Sequence, residues 1–138
     1  MKKIKKISII ALICCLLFIV ISFISPRNLY GKWYLYKGSD INADSYIDKK
    51  LNQKDYIEIS EGSMKEFRSD GKDGVGDLKV RGSKIYSGDT IFKYKVNEIG
   101  EHKVLELEVI GYDNGHEKWS AENGEKYTYV FDKNVNFE

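Results

Sequence analysis

Along most of this chain, apolar and polar residues change places at every second position. Phe92, Tyr94 and Val96 interleave with Lys93 and Lys95, and Leu105, Leu107 and Val109 with Glu106 and Glu108. In an extended chain successive side chains point to opposite faces, so a period of two predicts strands with one apolar and one charged side. Nine segments carry the pattern or its tyrosine-rich and β-branched equivalent. They are Gly31–Lys37, Asp55–Ser60, Ser63–Arg68, Asp77–Arg81, Lys84–Tyr86, Thr90–Asn97, Lys103–Tyr112, Glu117–Ser120 and Glu125–Asp132. Within the first, Trp33 and Leu35 share a face opposite Tyr34 and Tyr36; within the last, Tyr127, Tyr129 and Phe131 share one.

The breaks between segments are short. Glu61-Gly62 and Gly82-Ser83 read as turns, Asp70–Gly76 as a loop, and Asn114-Gly115 and Asn123-Gly124 as two-residue hairpin turns whose central residues accept positive φ. Asn42–Asn52 is the one segment with helical spacing, through Tyr46-Ile47, Lys50 and Leu51, with Asn42 or Asp44 as cap. Strands joined by short links pair with their chain neighbours, giving an antiparallel meander. Its apolar face must be hidden, and few residues remain for a covering layer. The expected fold is therefore mainly β, a meander closed into a small barrel, with the helix across one mouth or one side.

A different pattern precedes the strands. Ile7–Ser25 is nineteen residues without a charge, after Lys2, Lys3, Lys5 and Lys6 and before Pro26 and Arg27. That length is sufficient to span a bilayer as a helix. The basic cluster puts the N-terminus in the cytoplasm by the positive-inside rule, and residues 28–138 outside the cell membrane. Residues 1–27 are thus expected to be a signal anchor and 28–138 an extracytoplasmic domain. Two alternatives stay open. A cleaved secretory signal, which would release a secreted domain, has a shorter apolar core, although Val20-Ile21-Ser22 is a tolerable cleavage site. A lipoprotein would need its cysteine near the end of the apolar run, whereas Cys14 and Cys15 lie within it.

Those two cysteines are the only ones, so the domain has no disulfide, thiol nucleophile or thiolate metal site. It holds all 21 acidic residues and 17 of the 22 basic ones, a net charge of −4, which gives no electrostatic reason to bind nucleic acid.

Gly31-Lys32-Trp33, opening the first strand of a small exported meander barrel, resembles the glycine-x-tryptophan motif of lipocalins, and of compact bacterial lipocalin-like domains in particular. The resemblance implies that Trp33 plugs a closed end beneath a basic side chain near the last strand, for which Lys126 and Lys133 are the candidates. It also implies a one-ended cup for a small apolar molecule. Without the resemblance, Trp33 is equally well a core aromatic at a strand start. Small eight-stranded barrels are often filled by their own side chains. A barrel this short is expected to offer only the low end of the roughly 300–1,000 Å³ typical of ligand pockets.

Chemistry-bearing residues do not converge. His102 and His116 are fourteen residues apart beside turns, without the partners a zinc site needs. Asp70, Asp73 and Asp77 are spaced three then four apart, unlike a calcium loop. Glu106 and Glu108 share a face and are expected to lie beside Lys93 and Lys95, as cross-strand charge partners rather than a catalytic pair. No nucleophile elbow or phosphate-binding loop occurs. A non-enzymatic binding domain without metal or cofactor is the expectation. Ten tyrosines are the informative surplus. Tyr34, Tyr36, Tyr56, Tyr86 and Tyr112 alternate away from the most apolar faces or lie near turns, where a flat ring with a hydroxyl suits recognition. The expected partner is a small apolar ligand in a hollow barrel, or an envelope protein on a filled one, in assembly or immunity.

Overall fold

The computed structural model describes residues 13, 26–37, 51–121 and 124–134. It contains nine strands: β1 (Gly31–Tyr36), β2 (Leu51–Ser60), β3 (Ser63–Phe67), β4 (Gly74–Arg81), β5 (Lys84–Ser87), β6 (Thr90–Ile99), β7 (His102–Asp113), β8 (Lys118–Ser120) and β9 (Lys126–Phe131). From β1 to β7 each strand pairs antiparallel with the next, and β9 closes the ring by pairing with both β7 and β1. The result is a closed, eight-stranded, up-and-down barrel.

The expected alternation appears as burial. Trp33, Ile57, Ile59, Leu78, Ile85, Leu105, Leu107 and Tyr129 form one core, with Leu35, Phe92, Tyr94, Val96, Tyr127 and Phe131 packed against it. Closure gives each apolar face another to bury against, and leaves no long unpaired edge along β1–β7 and β9. On the outside of β6 and β7, Lys93 stands directly opposite Glu108 and Lys95 opposite Glu106, as the sequence predicts. Asn97 donates its amide N–H to Glu106 at 2.9 Å.

Three expectations change. Asn123-Gly124 is not a hairpin turn. β8 and β9 lie on the same edge of β7, against Gly111–Asp113 and Val104–Glu108 respectively, so they continue one another as two parts of the eighth strand. The interruption between them keeps the ladder: Val109 N–H donates to the Glu125 carbonyl and Ala121 N–H to that of Ile110, both at 2.9 Å. A Cβ on Gly124 would sit 1.5 Å from the Val109 carbonyl oxygen, so glycine is there for close backbone approach, not for a turn. Asn114-Gly115 does reverse the chain, but through four residues, because Asp113 pairs with Lys118. Gly115 has φ 85° while no non-glycine residue among those described has positive φ. Asn114 instead accepts N–H bonds from His116 (2.9 Å) and Glu117 (2.7 Å) through its side-chain oxygen.

The third change concerns the proposed helix Asn42–Asn52. Its last two residues, Leu51 and Asn52, open β2, with Leu51 paired to Tyr36 across a bulge; residues 42–50 lie outside those described. The apolar segment 7–25 also lies outside them, apart from Ile13. Among the described residues no helix is long and apolar enough to cross a membrane.

Candidate functional site: an open cup above a plugged end

The two ends of the barrel differ. At one end a 3-10 turn, Pro26–Leu29, leads directly into β1. Leu29 and Trp33 are both fully buried, and Trp33 donates its indole N–H to the Leu29 carbonyl at 2.8 Å. This bond ties the turn across the barrel bottom. Phe131 meets the Trp33 ring edge-on at 4.8 Å between centroids. Gly31, at φ 136°, leaves room for that phenyl ring, since a Cβ there would stand 2.4 Å from it.

The cation above this aromatic pair is Lys103, not Lys126 or Lys133. Its ammonium lies 5.4 Å from the Trp33 ring and 4.8 Å from Phe131. Lys103 sits at the start of β7, beside the end of β9 in space though distant in sequence. Burial, with Lys133 close by, holds its pKa below the ordinary lysine value, and Glu98 opposes the shift. Lys126 starts β9 and lines the opposite end of the barrel.

That opposite end is hollow. A cavity of about 620 Å³ is lined by three consecutive residues on each of β6, β7 and β9, centred on the inward-facing Tyr94, Leu107 and Tyr127, and by Leu35, Tyr36 and Lys37 at the end of β1. A second cavity of about 300 Å³ shares Leu35, Lys37 and Tyr127 with it, and adds Asp55, Glu66, Arg68 and Tyr129. Together they make a cup with an apolar floor and a polar mouth. Its size lies in the middle of the range for small-molecule sites, about 300–1,000 Å³, and not at the low end expected from chain length.

The mouth is held by defined contacts. Lys37 and Asp55 form an ion pair at 2.9 Å, and the Asp55 carboxylate also accepts the Ser69 N–H at 2.7 Å. That backbone bond first, and Lys37 second, pull the Asp55 carboxyl down to about 2. Arg68 pairs with Asp70 at 3.0 Å, and its own N–H bonds Asp73 at 2.9 Å. Two members of the aspartate trio thus hold the β3–β4 loop in shape, and Asp77 lies within β4. No cluster of metal-binding side chains occurs among the described residues. Tyr127 donates its hydroxyl to Glu125, which pushes the phenol up to about 12. Burial, with Glu66 nearby, raises Tyr129 further, and burial alone raises Tyr94.

The five tyrosines singled out from sequence divide into groups. Tyr34, Tyr36 and Tyr56 lie on the outward-facing side of β1 and β2, and Tyr36 and Tyr56 also border the two cavities. Tyr34 and Tyr36 are buried, and Tyr34 meets Tyr56 edge-on at 5.8 Å. Lys32 reaches over both rings of that pair, 4.0 Å from Tyr56, and Phe67 stacks on Tyr56 at 4.5 Å. Tyr86 stands apart on β5 beneath Arg81. Tyr112 stacks at 4.2 Å on Trp119, which is 54% exposed. The tyrosines that do face the cup, Tyr94, Tyr127 and Tyr129, belong to the inward alternation and read in sequence as core. Only their hydroxyls mark them as cavity lining. His102 and His116 do not meet: the first starts β7 at the plugged end, and the second lies in the β7–β8 connection at the other.

Compared with known proteins, the chain matches no family model, no curated protein and no solved structure.

Proposed function

We propose that this protein is a membrane-anchored, lipocalin-like, non-enzymatic binding domain outside the cell membrane, taking a small molecule with an apolar body into its cup. The single observation that carries the reading is the asymmetry of the barrel interior, plugged by Leu29, Trp33 and Phe131 at one end, where a space of about 340 Å³ lies at the rim against Glu98, Glu101, Lys103 and Lys133, and hollow at the Leu35–Leu107–Tyr127 end. A barrel packed solid by its own side chains would fill that space, whereas here about 620 Å³ stays open to water or a ligand. The anchor fits the same arrangement. The uncharged run ends at Ser25, four residues before Leu29, which is locked in the barrel bottom. A helix leaving the bilayer there holds the plugged end against the membrane and turns the cup away from it.

The test uses the full chain in lipid nanodiscs. Native mass spectrometry and solvent extraction should recover a co-purifying small molecule, or an apolar fluorescent probe should bind and be displaced by extract. Leu35→Trp, which places an indole in the space shared by both cavities, should abolish binding while leaving the β-sheet spectrum intact. A protein that binds no probe, or whose binding ignores that substitution, refutes the reading.

A second reading, an envelope protein-interaction module, is favoured by exposed Trp119 stacked on Tyr112 in the hairpin beyond the barrel. A photo-crosslinker at position 119 should then capture one specific envelope protein in cells; no crosslinked product would count against it.

A further inference from the structure

The charges in the cup mouth are unequally satisfied. Among the described residues its inward cations are engaged, Lys37 with Asp55 at 2.9 Å and Arg68 with Asp70 at 3.0 Å. Of the inward carboxylates, Asp55 is held by Lys37 and the Ser69 N–H, and Glu125 accepts the Tyr127 hydroxyl. Glu66 is different. It faces inward on β3, opposite the buried Ile57, and lines the second cavity. No hydrogen bond or ion pair joins it to any described residue. It lines that cavity together with Tyr127, Tyr129 and Arg68, and its charge acts on both phenols, against that of Arg68 at Tyr129. Lys93, Lys95 and Lys126 belong to the same wall, but they alternate with Tyr94 and Tyr127 and point outward, the first two opposite Glu108 and Glu106.

An aromatic-lined space with a carboxylate that has no bonded partner among the described residues attracts a cation. Ring faces stabilise an ammonium group within about 6 Å by roughly 0.5–2 kcal/mol, and a carboxylate favours it further where the surroundings are partly dehydrated. An anionic head would have to displace Asp55 from Lys37 or Asp70 from Arg68. We propose that the cup takes a cationic amphiphile of the alkylammonium class, its ammonium head by Tyr127 and Tyr129 with Glu66 as counter-charge, and its chain on Leu35, Leu107 and Tyr94. This rests on the cup reading above and names the ligand class for the same site.

The test compares three probes with one six-carbon chain, too short to partition strongly into lipid: hexyltrimethylammonium, hexanoate and hexanol. Each is titrated calorimetrically into the full chain in neutral nanodiscs, with empty nanodiscs as the blank. The ammonium compound should bind at least tenfold more tightly than hexanol, and hexanoate more weakly than either. Glu66→Gln should bring the ammonium compound to within about threefold of hexanol without changing hexanol binding, and high salt should act in the same direction. Equal binding of all three, or tighter binding of hexanoate, overturns the cationic assignment while leaving the cup reading intact. Binding of none of them, with no apolar probe bound either, overturns both.

Discussion

The bond from the Trp33 indole to the Leu29 carbonyl fixes the plugged end, and Trp33→Phe measures it. Phenylalanine keeps an aromatic ring against Phe131 but loses the indole N–H, leaving the buried Leu29 carbonyl without the donor it has at 2.8 Å. An unsatisfied buried acceptor costs about 1–3 kcal/mol. The smaller ring also leaves ~35–40 Å³ unfilled in a fully buried site, worth about 1 kcal/mol at 24 cal/mol per Å³. The expected destabilisation is therefore about 2–4 kcal/mol, a large share of the stability of a domain this size. Lys103→Met is the control. It retains the aliphatic stem over both rings and removes a charge worth only ~0.5–1 kcal/mol in a cation–π contact, part of which is offset because that ammonium is partly desolvated. Its change should stay within about 1 kcal/mol. Urea unfolding of the full chain, followed by circular dichroism in the β-sheet band, gives both values. Indole emission of Trp33→Phe comes from exposed Trp119 alone and should be red-shifted even when folded. A Trp33→Phe change below ~0.5 kcal/mol, or a Lys103→Met change above that of Trp33→Phe, would refute the account of the plugged end.

Three further outcomes follow from the mouth and the wall. The Asp55 carboxyl is lowered to about 2 from 3.8, so its contribution to stability is fully present above pH 4 and is lost as pH falls toward 2. Discounted for solvent screening it amounts to about 1 kcal/mol, and Asp55→Asn should flatten the acid limb of the stability profile in that window. Tyr127 is raised to about 12, so its contribution is present below pH 10 and lost as pH climbs through 12; phenolate absorbance should show one late-titrating group fewer in Tyr127→Phe, with those of Tyr94 and Tyr129 remaining. Gly124→Ala puts a methyl group into the Val109 carbonyl and should cost about 3 kcal/mol or more, whereas Gly62→Ala, with open space around it, should cost about 1 kcal/mol from its positive φ.

Much of this fold was legible because closure turns a local rule into a global one. Once Phe92, Tyr94 and Val96 face one way and Leu105, Leu107 and Val109 the same way, their strands pair with Lys95 opposite Glu106, and the register follows. The misreadings have one cause. Asn-Gly is a turn signal only where the chain has to reverse, and local sequence does not say whether it does. At Asn114-Gly115 it reverses; before Lys126 it continues along β7, and Gly124 serves close packing. Leu51 shows the same limit: helical spacing to Ile47 is matched by its strand partner Tyr36, and the partner is invisible in the linear chain.

The cup was harder to read because hollowness is not a property of any residue. Tyr94, Tyr127 and Tyr129 have the same inward alternation as the solid layers at Trp33 and Ile57, and nothing in the pattern separates a tyrosine that fills space from one that borders it. The distinguishing signal lies in their company. At the plugged end the core positions are apolar or aromatic, and the charges, Lys103 with Glu98 opposite it, come only at the rim over the rings. At the mouth Asp55, Glu66 and Arg68 occupy inward positions in strands whose other inward members are Ile57, Ile59 and Met64. A charge on the apolar face of a strand interrupts the alternation, and burying it in a filled core would cost several kcal/mol. In a barrel its presence therefore places water, or a ligand, at that level. By this reasoning the level of Glu66 divides solid barrel from cup, so Glu66→Leu should raise stability if water alone occupies the mouth. If the carboxylate is also a ligand contact held at the expense of packing, the same substitution should in addition weaken binding of an ammonium probe.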